Sequence, residues 1–216
     1  MSSSDPRRRG IDAVVFDLGN VLVRWDPYLP YIGRMERMEV EAFFDEIDFP
    51  SFNHRQDAGR SWEKARADVR ARFPQHVAAL DIYRENFAAS VPGPVEGSEE
   101  VVRELAAGGI RVLGLTNWSA ETYHYAEPAA PSVGLLEGVL VSGQEGIAKP
   151  DPRIFALLAE RFGLEPGRTT FVDDAPGNVE AASVAGYDAV LFVTASQLRR
   201  DLHARGLPVA VPRSRR

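Results

Sequence analysis

Several reactive side chains in this chain stand directly after short apolar runs. Asp17 follows IDAVVF, Thr116 and Asn117 close IRVLGLTN, and Asp173 with Asp174 closes TTFVDD. Two adjacent buried carboxylates repel each other and resist desolvation, so Asp173 and Asp174 call for a cation. The chain has no cysteine, which restricts any metal site to carboxylates, carbonyls or imidazoles. Of its 25 lysine and arginine residues only Lys64 and Lys149 are lysines, and Lys149 precedes a proline in a loop. A compact ammonium of this kind can neutralise several anionic groups at once where a forked guanidinium fits less well.

The elements that must position these groups alternate. IDAVVF, IRVLGLT, GVLVSG, TTFVDD and DAVLFV read as strands, and the unbroken apolar runs suit a sheet buried on both faces. EEVVRELAAGG, DPRIFALLAERFG and NVEAASVAG read as helices between them, with proline in a first turn and glycine stops. The fold class this implies is α/β, a doubly wound parallel sheet with right-handed crossovers. From about Pro27 to Ser90 the pattern is helical only, with amphipathic segments in MERMEVEAFFDEI, SWEKARADVRARF and HVAALDIYRENF, which reads as an inserted small α-helical cap. The expected organisation is a disordered leader over 1–10, a catalytic core over 11–26 and 91–216, and the cap over 27–90. In such sheets ligands bind beyond the carboxyl ends of the strands, where the polar residues above converge.

With 216 residues, 44% of them hydrophobic and 26% charged, the chain is composed like an ordinary globular protein with a substantial core. A net charge of −6 and dispersed basic residues argue against nucleic acid as a partner, although the basic termini are a small exception. No apolar stretch follows the leader MSSSDPRRRG, and no run reaches the ~18 apolar residues of a membrane span. The expectation is a cytoplasmic protein without membrane contact, as monomer or homodimer, with the leader and the terminal PRSRR frayed.

FDLGNVL (Phe16–Leu22), LTN (Leu115–Asn117), KP (Lys149–Pro150) and FVDDAPGN (Phe171–Asn178), in that order, resemble the four motifs of haloacid dehalogenase-like hydrolases. The resemblance covers nearly the whole chain, helical insertion included, and the order of four motifs makes it specific where each alone would be weak. It implies a Rossmann-like core and a phosphorylated small molecule as substrate. Asp17 would be the covalent nucleophile. Thr116, Asn117 and Lys149 would complete the catalytic set, with Thr116 at the phosphoryl oxygens. Mg²⁺, which favours octahedral oxygen ligands, would be held by Asp17, the Gly19 carbonyl and Asp174, while Asp173 and Asn178 orient the ligands and Lys149.

One position departs from the family. Phosphatases of this kind carry a second aspartate two residues after the nucleophile, which protonates the leaving group and activates water; here that position is Gly19. Such acid–base help is typically worth about 10²–10⁴-fold. Either the leaving group needs no proton, as in an anomeric sugar phosphate or an acyl phosphate, or another group, such as one from the cap, takes over, or the chemistry is not phosphoryl transfer. The 2-haloacid dehalogenases also lack that aspartate and need no metal, but their fourth motif tends to carry serines in place of Asp173 and Asp174. The primary expectation is a Mg²⁺-dependent phosphatase working through an aspartyl-phosphate, with a metal-independent dehalogenase or a weakly active binding protein as alternatives.

The segment FNHRQDAGRSWEKA (Phe52–Ala65) resembles the family's substrate loop. His54, Arg55 and Arg60 are candidates to bind a second anionic or hydroxyl-rich part of the substrate, Trp62 to stack on a sugar ring, and Trp118 to line the pocket. A surface helix-turn-helix would have the same composition. Trp25 and Asp26 are read as shaping the cap hinge, and His76, His124 and His203 as surface or packing residues.

Overall fold

The computed structural model describes residues 10–211. The leader expected over 1–10, but for Gly10, and the terminal PRSRR lie outside the described residues. The chain opens with β1 (Ala13–Phe16), then α1 (Arg37–Ile47), α2 (Phe49–Asp57), α3 (Trp62–Arg72), α4 (Val77–Glu85) and α5 (Ser98–Ala107). It continues through β2 (Arg111–Thr116), a short α6 (Ala126–Ala129), β3 (Val139–Val141), α7 (Ser142–Glu145), α8 (Pro152–Phe162), β4 (Thr169–Asp173), α9 (Pro176–Val184), β5 (Asp188–Leu191) and α10 (Ala195–Ala204).

All strand pairings are parallel and the sheet runs β3-β2-β1-β4-β5. Because side chains alternate along a strand, Val14 and Phe16 enter one core with Val112 and Val172, and Ala13 and Val15 the other with Leu113, Leu115 and Phe171. The first face is covered by Val101, Val102 and Leu105 of α5 and by Leu198 and Leu202 of α10. The second is covered by Ile154, Phe155 and Leu158 of α8 and by Ala182 of α9. Both faces are therefore buried, as the apolar strands require. The chain winds from β1 toward β3, then returns past β1 to lay down β4 and β5. The change of direction falls between β1 and β4, and such switch points leave a crevice at the strands' carboxyl ends.

α1 to α4 lie between β1 and β2 in the chain, and α2 takes in the first part of the segment that resembles a substrate loop. Asp48, in the left-handed region at φ 51°, ends α1 and starts α2, its carboxylate accepting the Ser51 N–H at 3.5 Å. Pro50 sits in the first turn, where its missing N–H costs nothing. These helices bury an aromatic cluster, Phe43, Phe44, Phe49, Phe52, Trp62 and Tyr83, continuous with the core of the first sheet face. Phe44 and Phe49 stack at 4.0 Å between centroids.

The end of α2 meets the sheet side through glycines. A Cβ on Gly59 would lie 3.2 Å from Gly146 Cα, and one on Gly143 would lie 2.5 Å from both the Trp118 carbonyl oxygen and the Ala120 nitrogen. Beside this contact the Ser142 hydroxyl donates to the Asp57 carbonyl at 2.6 Å. Gly143→Ala should push the 118–120 loop outward and cost about 1–3 kcal/mol, as overpacking does elsewhere. Denaturant unfolding checks this, and an unchanged midpoint would contradict the close approach.

Candidate active site

β1 delivers Asp17 to the crevice, and the ladder continues one residue past the strand, with the Asp17 N–H donating to the Val172 carbonyl at 2.8 Å. From the neighbouring strand β4 comes Asp173. The side chain of Lys149 is fully buried, and its Nζ lies 2.9 Å from Asp17 Oδ1 and 2.6 Å from Asp173 Oδ2, with a third bond to the Leu115 carbonyl at 3.0 Å. All three ammonium protons are thereby placed. Burial alone would lower the lysine's proton affinity, but Asp17 and Asp173 more than offset this, so the ammonium stays charged.

Asp173 is enclosed. Besides Lys149 it accepts the Ala175 N–H at 2.9 Å and the Asn178 amide at 3.0 and 3.1 Å. Its oxygens are committed to holding the lysine and the turn into α9. Asp174 instead reaches the open cavity, with Asn20 hydrogen-bonded to its carboxyl. Asn20 has φ 54°, which lets the loop after Asp17 fold back so that its Oδ1 accepts the Trp25 N–H at 3.0 Å. Gly19 lines the same cavity. Asp17, Asp173 and Asp174 each offer a carboxylate oxygen within 4.8 Å of one another, so this cluster can hold a metal ion.

The end of β2 contributes differently from each residue. Asn117 clamps the lysine loop: its amide donates to the Lys149 carbonyl at 2.9 Å and its oxygen accepts the Lys149 N–H at 2.8 Å. The Thr116 hydroxyl is buried and, among the described residues, has no hydrogen-bond partner. An unpaired buried hydroxyl is costly, and a phosphoryl or other anionic oxygen would satisfy it.

A cavity of about 240 Å³ opens above these groups, lined by Asp17, Gly19, Asn20, Asn117 and Asp174 from the sheet side. Trp25, Trp62, Phe87 and Trp118 give it an aromatic wall, and Asn53, Asp57, Ser119 and Thr122 complete its polar part. Trp62 lines the cavity but is 2% exposed, packed on Phe52 and Tyr83. Trp118 is steadied by its own indole N–H, which donates to Thr122 Oγ1 at 3.2 Å.

Arg55 and Arg60 do not reach this cavity. They line a separate groove with Ile47, Lys64 and Asp68, and Arg60 is already engaged by Gln56, Asp68 and the Phe52 carbonyl. The reason is helical phase. Phe49, Phe52 and Gln56 are the buried stripe of α2, and Asn53 and Asp57, one turn apart, share the cavity side, leaving Arg55 to point away. His54 lines a groove that adjoins the cavity and shares Trp25, Asn53 and Asp57 with it. Trp25, read as a hinge residue, is part of the cavity wall. Asn53, Asp57, Phe87, Ser119 and Thr122 were not anticipated. An i, i+4 pair of short polar residues beside the apolar stripe was the available signal for the first two. His76 pairs with Glu46 at 2.9 Å and His124 packs on Tyr125, away from the cavity.

The haloacid dehalogenase-like hydrolase family matches residues 11–186, and the chain belongs to that family. A chloroplast flavin mononucleotide hydrolase from Arabidopsis thaliana is 30% identical over 119 residues, 55% of this chain but only 48% of that protein. A sesquiterpene phosphatase from Aspergillus oryzae is 25% identical over 180 residues, 81% of this chain and 86% of that one. The fold is shared by a family enzyme from Bacteroides thetaiotaomicron crystallised with magnesium and inorganic phosphate. It has a TM-score of 0.67 and 18% identity, covering 86% of this chain and 96% of that one. Among the described residues no helix is long and apolar enough to cross a membrane.

Burial, opposed by Lys149 and aided by the charges of Asp173 and Asp174, pushes the Asp17 carboxyl from its ordinary 3.8 up to about 7. A folded-state value above the unfolded one means stability that is complete below about pH 4 and lost as the pH rises through 7. In EDTA, the wild type should therefore lose more than about 1 kcal/mol relative to Asp17→Asn between pH 4 and pH 7.5. Paired denaturation curves measure this; a gap independent of pH would contradict it.

Proposed function

We propose that this hydrolase is a Mg²⁺-dependent phosphatase of small phosphomonoesters, with Asp17 as nucleophile. The observation that carries the reading is the buried Lys149 ammonium, held between Asp17 and Asp173 at the floor of a cavity that Asp174 also enters. The chemistry of the donor set fits magnesium: three carboxylates face one ammonium, an excess of negative charge that a hard dication would balance with oxygen ligands. Asp17, the Gly19 carbonyl and Asp174 would hold it, and when bound it supplies charge to the phosphoryl oxygens and to the attacking carboxylate. Asp173 is left to position Lys149, and Asn178 to position Asp173.

The residues then divide the work. Asp17, fixed through Oδ1 by Lys149 and by the Leu18 N–H at 2.7 Å, attacks phosphorus with its free oxygen. Lys149 screens the nucleophile from the incoming negative charge. The unpaired Thr116 hydroxyl is available for a phosphoryl oxygen. Asn117 keeps the lysine loop closed on the site. Water then cleaves the aspartyl-phosphate. The segment 27–90 acts in this reading as a cap over the core of 11–26 and 91–211, bringing α2 over the nucleophile. A cavity of about 240 Å³ lies below the ~300–1,000 Å³ typical of ligand pockets, which suits a compact substrate whose apolar part meets the tryptophans.

The metal-free dehalogenase alternative is disfavoured by the same charge count, because it leaves the excess carboxylates unbalanced. Relatives named as a sesquiterpene phosphatase and an N-acetylmuramic acid 6-phosphate phosphatase support phosphomonoester chemistry. Phosphate release from p-nitrophenyl phosphate and a panel of phosphorylated metabolites should require Mg²⁺ and stop in EDTA. Asp17→Asn should lower it by roughly 10⁴-fold or more. A wild-type protein inert on the whole panel, or one active in EDTA, would overturn the proposal.

A further inference from the structure

Gly19 leaves the phosphatase reading without its usual proton donor, and the cavity contains one carboxyl that the steps above do not use. We propose that Asp57, from the last turn of α2, is the acid–base group of the reaction, and that the substrates are therefore phosphomonoesters of ordinary alcohols. The proposal rests on the phosphatase reading and adds the group that handles the leaving oxygen.

The geometry has three parts. Asp57 lines the same cavity as Asp17 and Asp174 but reaches it from the opposite, helical side. Its position is over-determined. The main-chain carbonyl is held by Ser142 Oγ at 2.6 Å, and the carboxylate accepts the Asn53 amide at 3.0 Å and the Ser119 N–H. Ser142 Oγ in turn accepts the Trp118 N–H at 3.0 Å, so the loop after β2 and the end of α2 are locked through one hydroxyl. The close glycine contacts of Gly59 with Gly143 and Gly146 make this approach possible.

A structural role explains the residue poorly. An aspartate in the last turn of a helix faces the negative end of the macrodipole, where a carboxylate is disfavoured. Among the described residues no ion pair to Asp57 compensates for this. The charged groups facing it are Asp17 and Lys149 from the sheet side; Asn53 and Ser119 are neutral, and Tyr83 is a buried phenol nearby. Burial first, and then the charge of Asp17, push Asp57 up to about 7 against the pull of Lys149 and the Ser119 N–H, so near neutral pH both proton states are accessible.

In the first half-reaction an Asp17 oxygen bonds to phosphorus as the bond from phosphorus to the ester oxygen breaks, and the Asp57 proton passes to that oxygen to release the alcohol. In the second, a water oxygen bonds to phosphorus and the bond to Asp17 breaks. The proton lost by water goes to Asp57, which restores the starting state and yields inorganic phosphate.

The test is Asp57→Asn, which keeps the shape and an oxygen for the Ser119 N–H, with Asp57→Glu as the companion that restores a carboxyl. Both are assayed against an alkyl phosphate and against p-nitrophenyl phosphate, whose leaving group needs no proton. Asp57→Asn should slow the alkyl phosphate by about 10²–10⁴-fold. With p-nitrophenyl phosphate it should still give a fast burst of nitrophenol followed by slow turnover, as the aspartyl-phosphate accumulates. Asp57→Glu should recover part of the alkyl phosphate rate, which keeps the question decidable if the asparagine variant is unstable. Equal losses on both substrates without a burst, or an alkyl phosphate rate unchanged in Asp57→Asn, would overturn the role of Asp57 alone. An inert wild type would instead remove the phosphatase reading beneath it.

Discussion

A lysine without solvent contact is tolerable only where its charge is answered, and here it is answered twice. Lys149 ties β1 to β4 through Asp17 and Asp173, and its third bond, to the Leu115 carbonyl, adds β2. The switch point of the sheet is thus closed by one ammonium. Everything around it serves to hold that ammonium or uses the charge it leaves over. Asn117 grips its backbone, and Asn178 with the Ala175 N–H saturates Asp173. Asp17 and Asp174 remain with more negative charge than one lysine can balance, and together with Asp173 they could hold a metal ion.

The strand-end residues were legible in the sequence for a physical reason. A parallel sheet covered on both faces demands short, unbroken apolar runs, and a polar residue ending such a run must lie at the carboxyl edge. Asp17, Thr116 and Asp173 follow that rule, and the order of the four motifs made the family recognisable. The rarity of lysine singled out Lys149 and the motif resemblance implied that it serves Asp17 and Asp173, although nothing in the sequence showed that its side chain would be fully buried.

The helical insertion was legible as helical but not as a surface. In α2 the run FPSFNHRQD has few apolar residues, and proline near its start reads as easily as a loop. Which side faces the sheet depends on how the helix docks, and that is set by glycine contacts between segments far apart in the chain. Arginines are the obvious anion binders of this segment, yet the phase of the helix turns Arg55 outward and brings the shorter Asn53 and Asp57 to the cavity that Asp17 lines. Likewise Trp62 was visible as an aromatic near the site, but its burial among Phe52 and Tyr83 follows from the packing of four helices that periodicity alone does not orient.

The central claim of the proposed function is that an Asp17 carboxylate oxygen is the nucleophile that accepts the phosphoryl group. The most direct measurement is mass spectrometry of the protein acid-quenched during turnover with Mg²⁺ and a phosphomonoester, followed by proteolysis at low pH. The account requires the peptide containing Asp17 to gain the mass of one phosphoryl group, with the addition on Asp17 itself. Turnover that leaves this peptide unmodified while another residue carries the group, or while water attacks with no covalent stage, would contradict it.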